Sequence, residues 1–414
     1  MGVEVLNFGC RLNIAEGEAI RAAADGAPLG NTGGLIIVNS CAVTGEAERQ
    51  ARQAIRKAAR LRPDARIIVT GCGADVSRDR FAAMPEVSDV VPNGEKLAAL
   101  SYDATSINLH RHPSESGNDN KRYAPLTSGA THARAFVSVQ TGCDHRCTFC
   151  IIPYGRGDSR SARVDDVIAA CAAAVERGQQ EVVLTGVDLT SYDDDGQPLG
   201  TLVEAILTQV PALPRLRLSS LDSVEIDPLL DEIITSEPRL LPHLHLSLQA
   251  GDDMILKRMK RRHSRAQAVA LVQRLKTKRP ALSIGADIIA GFPTEDEAMF
   301  ANSLALVEDC DLVFGHVFPY SPREGTPAAR MPQVPPAVAK TRAATLRDAI
   351  ASRKAGWLKS LVGTTQQMLV ELDGLTGHIA NFAAITLDHA AMPKSILPVI
   401  ITHTDGARLY GAPA

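Results

Sequence analysis

Cysteines at positions 10, 41 and 72 recur at an interval of 31 residues, and each follows a short apolar run. The runs Val3–Phe8, Leu35–Val38 and Ile67–Val69 read as buried strands. Helical stretches follow at Ala15–Ala24 and Glu46–Leu61, with a weaker one at Ser77–Met84. The interval is about one βα unit, so the segment predicts an α/β domain with a doubly wound parallel sheet. Each thiol then falls just past the C-terminal end of a strand, where open α/β sheets bind their ligands. The small neighbours Gly9, Ser40, Gly71 and Gly73 let the backbone approach a bulky group. Three thiolates on one rim can hold zinc or an iron–sulfur cluster. With no obvious fourth ligand, a cluster with one open iron is the more attractive reading.

The rhythm breaks at residues 103–133, which are rich in Ser, Asn, Asp, Pro, Gly and Thr and read as a linker. The domains are drawn at 1–110, a linker at 111–133, a second α/β block at 134–361 and a small module at 362–414. Candidate strands of the second block are Ala135–Gln140, Glu181–Thr185, Arg215–Ser219, His243–Leu248, Ser283–Ile289 and Leu312–Phe318. Helical stretches such as Val164–Arg177, Ser264–Lys278 and Glu295–Asp309 lie between them. Six such units predict a partial (β/α)6 TIM-type barrel, because a full eight-unit barrel takes roughly 250 residues. A last helix spans about Pro336–Leu361, and beyond Gly363 short strands with turns predict a small all-β module.

Composition narrows the function classes. Hydrophobic residues make 45% of the 414 and charged residues 22%, enough apolar material for folded cores. Lys plus Arg total 44 and Asp plus Glu 47, a net charge of −3 that excludes a globally basic nucleic-acid binder but not a local basic face. No apolar run reaches the ~18 residues of a membrane helix, so no membrane partner is expected. The N-terminus lacks an export-signal pattern, and a cytoplasmic location is the expectation. Eight cysteines in such a chain point to metal ligation before disulfides.

A second cysteine group, Cys143, Cys147 and Cys150, directly follows the first strand of the barrel block. That is the end of a TIM-type barrel where chemistry is done. His145, between two of the cysteines, is poorly placed to complete a zinc tetrahedron. Three thiolates on a 4Fe–4S cluster leave one iron for an exogenous ligand, and the spacing resembles that of the radical S-adenosylmethionine (SAM) enzymes. Cys171 and Cys310 sit alone in helical stretches and read as core residues.

The two groups in this order resemble the methylthiotransferases, over essentially the whole chain. Further matches are Ile151-Ile152-Pro153, Arg156-Gly157, Leu184-Thr185-Gly186, Ser219-Ser220, His245 to Gln249, Leu256 to Arg261, Asp287 with Gly291-Phe292-Pro293, and Phe318-Pro319-Tyr320-Ser321. Gly9 to Asn13 and His316 to Ser321 resemble the branch that acts on threonylcarbamoyladenosine in tRNA. The resemblance implies a cluster domain, a radical SAM barrel and a TRAM-like β module. It implies two 4Fe–4S clusters, one on Cys143, Cys147 and Cys150 and one on Cys10, Cys41 and Cys72, with SAM as radical source and methyl donor. An unactivated adenine C–H bond needs such a radical, since no general base removes that hydrogen. SAM contacts are expected from Phe149, Gly186, Ser219, Ser220, Asp222, Gln249 and Asp287. Expected partners are a tRNA anticodon stem-loop, a flavodoxin- or ferredoxin-type electron donor and a sulfur donor. The alternatives are isopentenyladenosine in tRNA or a ribosomal-protein side chain as substrate, and an inactive iron–sulfur RNA-binding adaptor. The sequence departs from the family pattern at Asp144, Asp222, Ala250 and Gly73-Ala74-Asp75, and the C-terminal module is short and acidic.

Two basic segments complete the reading. Lys257–Arg279 holds ten Lys or Arg and no acid, and Arg49–Arg66 holds seven with only Asp64 against them. Arg52, Arg56, Lys260, Arg261 and Arg262 are the expected RNA contacts, holding phosphates beside the two clusters.

Overall fold

Apolar runs without polar alternation need cover on both faces, and the N-terminal sheet has it. In the computed structural model, residues 2–9, 11–25, 34–43, 45–102, 123–128 and 132–414 are described. Strands Val3–Asn7, Leu35–Ser40, Arg66–Gly71 and Asp89–Val90 pair in parallel in sequence order. Helix Arg11–Asp25 buries Ile20 and Ala24 against Val5, Leu35, Ile37 and Ile68 on one face. Helix Gly45–Leu61 buries Ala51, Ile55 and Ala58 against Ile36, Val38, Ile67 and Val69 on the other. Every residue of Leu35–Ser40 is buried as a result. The order shows no reversal among the described strands, so the ligand rim is marked by the strand ends alone.

The barrel is the expected partial (β/α)6 structure. Its six parallel strands are Ala135–Ser138, Glu181–Thr185, Arg215–Leu218 continued by Ser220–Leu221, His243–Gln249, Ser283–Ala290 and Leu312–Pro319, neighbours in that order. Cys171 and Cys310 are fully buried in its outer core. The expected linker is in part structure: Leu126–Ser128 pairs antiparallel with the first barrel strand. Leu126 has apolar cover there, packing with Ala15, Phe136 and Val183. Residues 111–122 and 129–131 of that stretch lie outside the described residues.

The C-terminal module is a closed five-stranded barrel, and it seals the N-terminal floor of the larger one. Phe382 sits in the left-handed region at φ 70°, a conformation an aromatic residue holds only under packing constraint. Its ring lies 4.7 Å from that of His243 and 5.9 Å from that of Phe314, with the Arg217 guanidinium 4.8 Å away. Arg217 donates to Glu181 at 3.0 Å and to the Ala380 carbonyl at 3.3 Å. Ser283 donates to the Asn381 carbonyl and Arg215 to the Gln367 carbonyl. Burial opposes the charge on Glu181, but Arg217, Arg134 and Arg215 outweigh it and hold its carboxyl at about 2.

Candidate active site

The loop Cys143–Cys150 is shaped by backbone constraints before any ligand is considered. Gly142 has φ +75°, and a Cβ there would lie 1.9 Å from the Asp158 carbonyl oxygen, so only glycine fits. Arg146 ties the loop by donating to the Cys143 carbonyl at 2.8 Å and to Asp158 at 2.8 Å. Thr148 donates through N–H to the Met259 carbonyl and through Oγ1 to the Arg258 carbonyl. Arg261 donates to Asp222 at 2.9 Å and to the Ser247 carbonyl at 2.7 Å, with Nη1 3.8 Å from Cys147 Sγ. Cys143 Sγ lies 3.7 Å from Asp188. Burial pushes the Cys143 thiol up to about 12 and the Cys150 thiol up to about 11. Their thiolates therefore need a cationic centre, and three converging thiols fit a cluster. His145 is not a free ligand: the hydrogen bonds it donates to Asp188 and Glu225 raise it to about 10, so it is an imidazolium.

Of the described N-terminal thiols, Cys72 packs against the segment that follows the barrel's cysteine loop. Cys10 lies outside the described residues. Cys41 and Cys72 are buried, and a Cβ on Gly9 would lie 2.9 Å from Cys41 Sγ, so glycine is what brings the chain beside that thiol. Ala42, Cys72 and Ile151 share one apolar cluster, which joins the neighbour of Cys41, Cys72 itself and the neighbour of Cys150. A Cβ on Gly155 would lie 3.1 Å from the Cys72 carbonyl oxygen. Behind this contact Arg156 is buried, donating to Glu16 at 2.6 Å and to Asn13 at 3.0 Å, while Lys96 pairs with Glu16 at 2.8 Å. Burial opposes the charge on Glu16, yet Arg156 and Lys96 hold its carboxyl at about 2.

The expected SAM contacts divide into open and occupied groups. Phe149 is half-buried, edge-on to Phe292 at 6.3 Å. Ser219 is buried with an Oγ that has no partner among the described residues, and Ser220 is half-buried. Gln249 is half-buried at the end of its strand with φ 66°. Asp222, by contrast, is buried and already bound by Arg261 and Arg262, so it orients the arginine beside Cys147. Gly186 makes room: Gln140 Oε1 would lie 3.0 Å from a Cβ there. That oxygen accepts from the Val187 and Asp188 amides at 2.9 Å, and Gln140 Nε2 donates to the Gly142 carbonyl. Asp287 accepts from His245 at 3.0 Å and from His316 at 3.1 Å. Burial opposes its charge, but the two imidazoles hold its carboxyl well below the usual range.

Comparison with known proteins decides the family. Residues 137–307 match the radical SAM superfamily, and residues 2–92 match a family described as uncharacterized protein family UPF0004. The chain is 46% identical to threonylcarbamoyladenosine tRNA methylthiotransferase MtaB of Rickettsia prowazekii, over 93% of this chain and 91% of the relative. The chain belongs to the radical SAM tRNA methylthiotransferase family. It is also 32% identical to tRNA-2-methylthio-N(6)-dimethylallyladenosine synthase of Sorangium cellulosum, over 97% and 87%. The radical SAM methyltransferase TsrM of Kitasatospora setae shares the fold, with a TM-score of 0.50 at 14% identity over 76% of this chain and 68% of that one. As an enzyme of this family the chain uses a 4Fe–4S cluster and SAM. No helix among the described residues is long and apolar enough to cross a membrane.

The basic segments look different in three dimensions. Arg261 is not on the surface: its side chain is 8% exposed and committed to the cysteine loop, because Asp222 compensates its charge there. Arg265, Arg274 and Lys276 pair with Asp309, Asp231 and Asp311 around the barrel's outer helices. Arg52 is half-buried on Glu48, and Arg262 pairs with Glu225. Arg56 and Lys260 are exposed. Lys260, Arg262 and Arg146 line a cavity of about 250 Å³ that opens beside Cys147. Gln140, Asp188, Arg156 and Lys96 were missed as site residues. Their only sequence signal is a polar side chain at a strand end or beside a cysteine motif.

Proposed function

We propose that this chain attaches a methylthio group to C2 of the adenine ring of N-threonylcarbamoyladenosine next to the tRNA anticodon. In this reading Cys143, Cys147 and Cys150 hold the radical cluster, and Cys10, Cys41 and Cys72 hold a second 4Fe–4S cluster. The observation that carries it is the shared packing of Ala42, Cys72 and Ile151, which brings the surroundings of both thiol sets into contact. A sulfur group held at one set is then close to a radical formed at the other. The higher identity to the relative named for threonylcarbamoyladenosine, 46% against 32%, supports the choice of nucleoside.

When bound, the clusters and SAM supply a hydrogen-abstracting radical and a sulfur group. The chain's own residues position and shield them. Gln140 fixes the turn that carries Asp188, and Asp222 aims Arg261 at Cys147. The Ser219 hydroxyl, without a partner among the described residues, and the strained Gln249 offer polar contacts at the strand ends, and Phe149 offers an aromatic face. Lys260 and Arg56, both exposed, are the groups left to meet RNA phosphate, since Arg262 is paired with Glu225. A flavodoxin- or ferredoxin-type reductant and a sulfur donor complete the cycle, in the cytoplasm.

The test compares anticodon-loop nucleosides from a deletion strain and wild type. The 2-methylthio form of threonylcarbamoyladenosine should disappear and return on complementation. Loss of the 2-methylthio dimethylallyl nucleoside instead would assign the other tRNA branch. Unchanged nucleosides with a ribosomal protein lacking its methylthio group would assign the protein substrate. Reduced protein that never cleaves SAM would assign the adaptor.

A further inference from the structure

The loop after the last barrel strand leaves the barrel and reaches into the N-terminal domain. Ser321 Oγ would lie 3.3 Å from a Cβ on Gly45, at the start of the helix that follows Cys41, and Arg323 Nη1 would lie 4.0 Å from it. The Arg323 side chain is 12% exposed. Its Nη1 stands 3.6 Å from Glu48 Oε2, beyond a good hydrogen bond. Glu48 is shared with Arg52 at 3.3 Å and Arg80 at 3.7 Å, so it cannot neutralise Arg323 alone. Nε and Nη2 of Arg323 are buried and meet no acceptor among the described residues. Burial works against the guanidinium charge, while Glu48 and the Cys41 sulfur support it.

A buried guanidinium with two idle donors is costly unless an anion completes it. Two adjacent N–H groups of one fork suit a single anionic acceptor. The neighbouring chemistry is a thiol that the reading above assigns to a sulfur-delivering cluster. We propose that Arg323 binds, through Nε and Nη2, the anionic sulfur ligand, sulfide or methanethiolate, carried at the Cys10, Cys41 and Cys72 site. A residue of the barrel thereby holds the group that the N-terminal domain delivers, and the transferable sulfur is oriented only when the two domains are docked. The inference rests on the reading that those three cysteines hold a cluster.

The experiment uses the full chain with Cys143, Cys147 and Cys150 replaced by Ala, so that only the N-terminal site is loaded. After anaerobic reconstitution, iron is counted. Sodium methanethiolate and sodium sulfide are then titrated separately against the electron paramagnetic resonance spectrum of the reduced cluster. Arg323→Gln should weaken binding by about tenfold or more, the scale of losing hydrogen bonds to a charged group. Arg323→Lys, which keeps the charge but not the fork, should fall between. A loss confined to one anion names which form Arg323 holds, and loss of both names anionic sulfur in general. Should the Gln variant fail to fold, the Lys variant decides alone: affinity equal to the parent overturns the proposal. A loaded cluster with unchanged affinity in both variants would overturn the Arg323 assignment and leave the cluster standing. Absence of iron in the parent would overturn the cluster reading itself.

Discussion

The two cysteine sets are built in opposite ways. Cys143, Cys147 and Cys150 sit on one eight-residue loop whose shape is fixed by Gly142, Arg146 and Thr148. Cys41 and Cys72 sit at the ends of separate strands, and a folded sheet is needed to bring them together. Both sets lie among mixed charges. At the barrel loop Asp188 stands 3.7 Å from Cys143 while Arg261 reaches Cys147, and Arg146, Arg262 and the His145 imidazolium add positive charge. Near Cys72 and Cys41 stand Lys96, paired with Glu16, and Arg323, facing Glu48. The contrast between the sets is one of construction, a single loop against separate strands.

The largest expected effect breaks that comparison outright. Anaerobic reconstitution of the parent should give about eight irons. Replacing Cys143, Cys147 and Cys150 by Ala should leave about four and abolish reductive SAM cleavage. Replacing Cys10, Cys41 and Cys72 should stop sulfur insertion while SAM cleavage persists, because the barrel loop keeps its own supports. Loss of cleavage in the second variant while it remains folded would show that the sets are not independent. Stoichiometric zinc without iron would end the comparison altogether.

The next effect tests how the sets are coupled. Arg156 is a barrel residue, buried on Glu16 and Asn13 of the N-terminal helix. Arg156→Met leaves Glu16 with Lys96 alone, and breaking such a buried pair should cost roughly 3 kcal/mol. Thermal unfolding should report that loss. Sulfur insertion should fall far more than SAM cleavage, because the loop remains intact while its neighbour drifts. Equal loss of both activities in folded protein would place the damage in the barrel.

What could be read from the sequence follows the same contrast. The barrel loop is local in sequence, so its spacing identified it directly. The N-terminal set was proposed because one βα unit repeats at a fixed interval, and among the described residues Cys41 and Cys72 do follow the ends of neighbouring strands. Lys96 and Arg323 were not singled out because each meets its carboxylate far away in sequence, and Arg156, read only as part of a family motif, gave no sign of its pairing with Glu16 across the domain boundary. Arg261 was misplaced on the surface because a run of basic residues says nothing of Asp222, 39 residues away, which buries it. The floor of the barrel was equally hidden: nothing in Asn381-Phe382-Ala383 announces that the Phe382 ring packs between His243 and Arg217.

A smaller effect sharpens the comparison through pH. Glu16 has its carboxyl held at about 2 against an ordinary value of 4.5. A lowered carboxylate contributes stability that is fully present above pH 4.5 and is lost as pH falls toward 2. Glu181, held at about 2 in the barrel floor, titrates in the same window. Glu16→Gln should therefore lower the unfolding temperature at neutral pH and flatten, without abolishing, its fall through that acid window. A profile parallel to the parent's would show that the Glu16 charge does not support the docking of the two domains.

The smallest effect concerns tRNA and separates residues that look alike in sequence. Lys260 and Arg274 belong to the same basic segment. Lys260 is exposed at the cavity beside Cys147, whereas Arg274 is paired with Asp231 on the outer helices. A solvated lysine that meets one phosphate releases about one counterion on binding, so Lys260→Ala should reduce the salt slope of tRNA binding by about 1. Affinity should fall a few-fold at moderate salt, with free-enzyme SAM cleavage unchanged. Arg274→Ala removes a charge already offset by Asp231 and should leave both slope and affinity where they were. Filter binding across a salt series measures the two variants side by side. If Arg274→Ala weakens binding as much as Lys260→Ala, the RNA lies along the barrel's outer helices. It then bypasses the cavity beside Cys147, and the barrel mouth loses its claim to be where the anticodon loop enters.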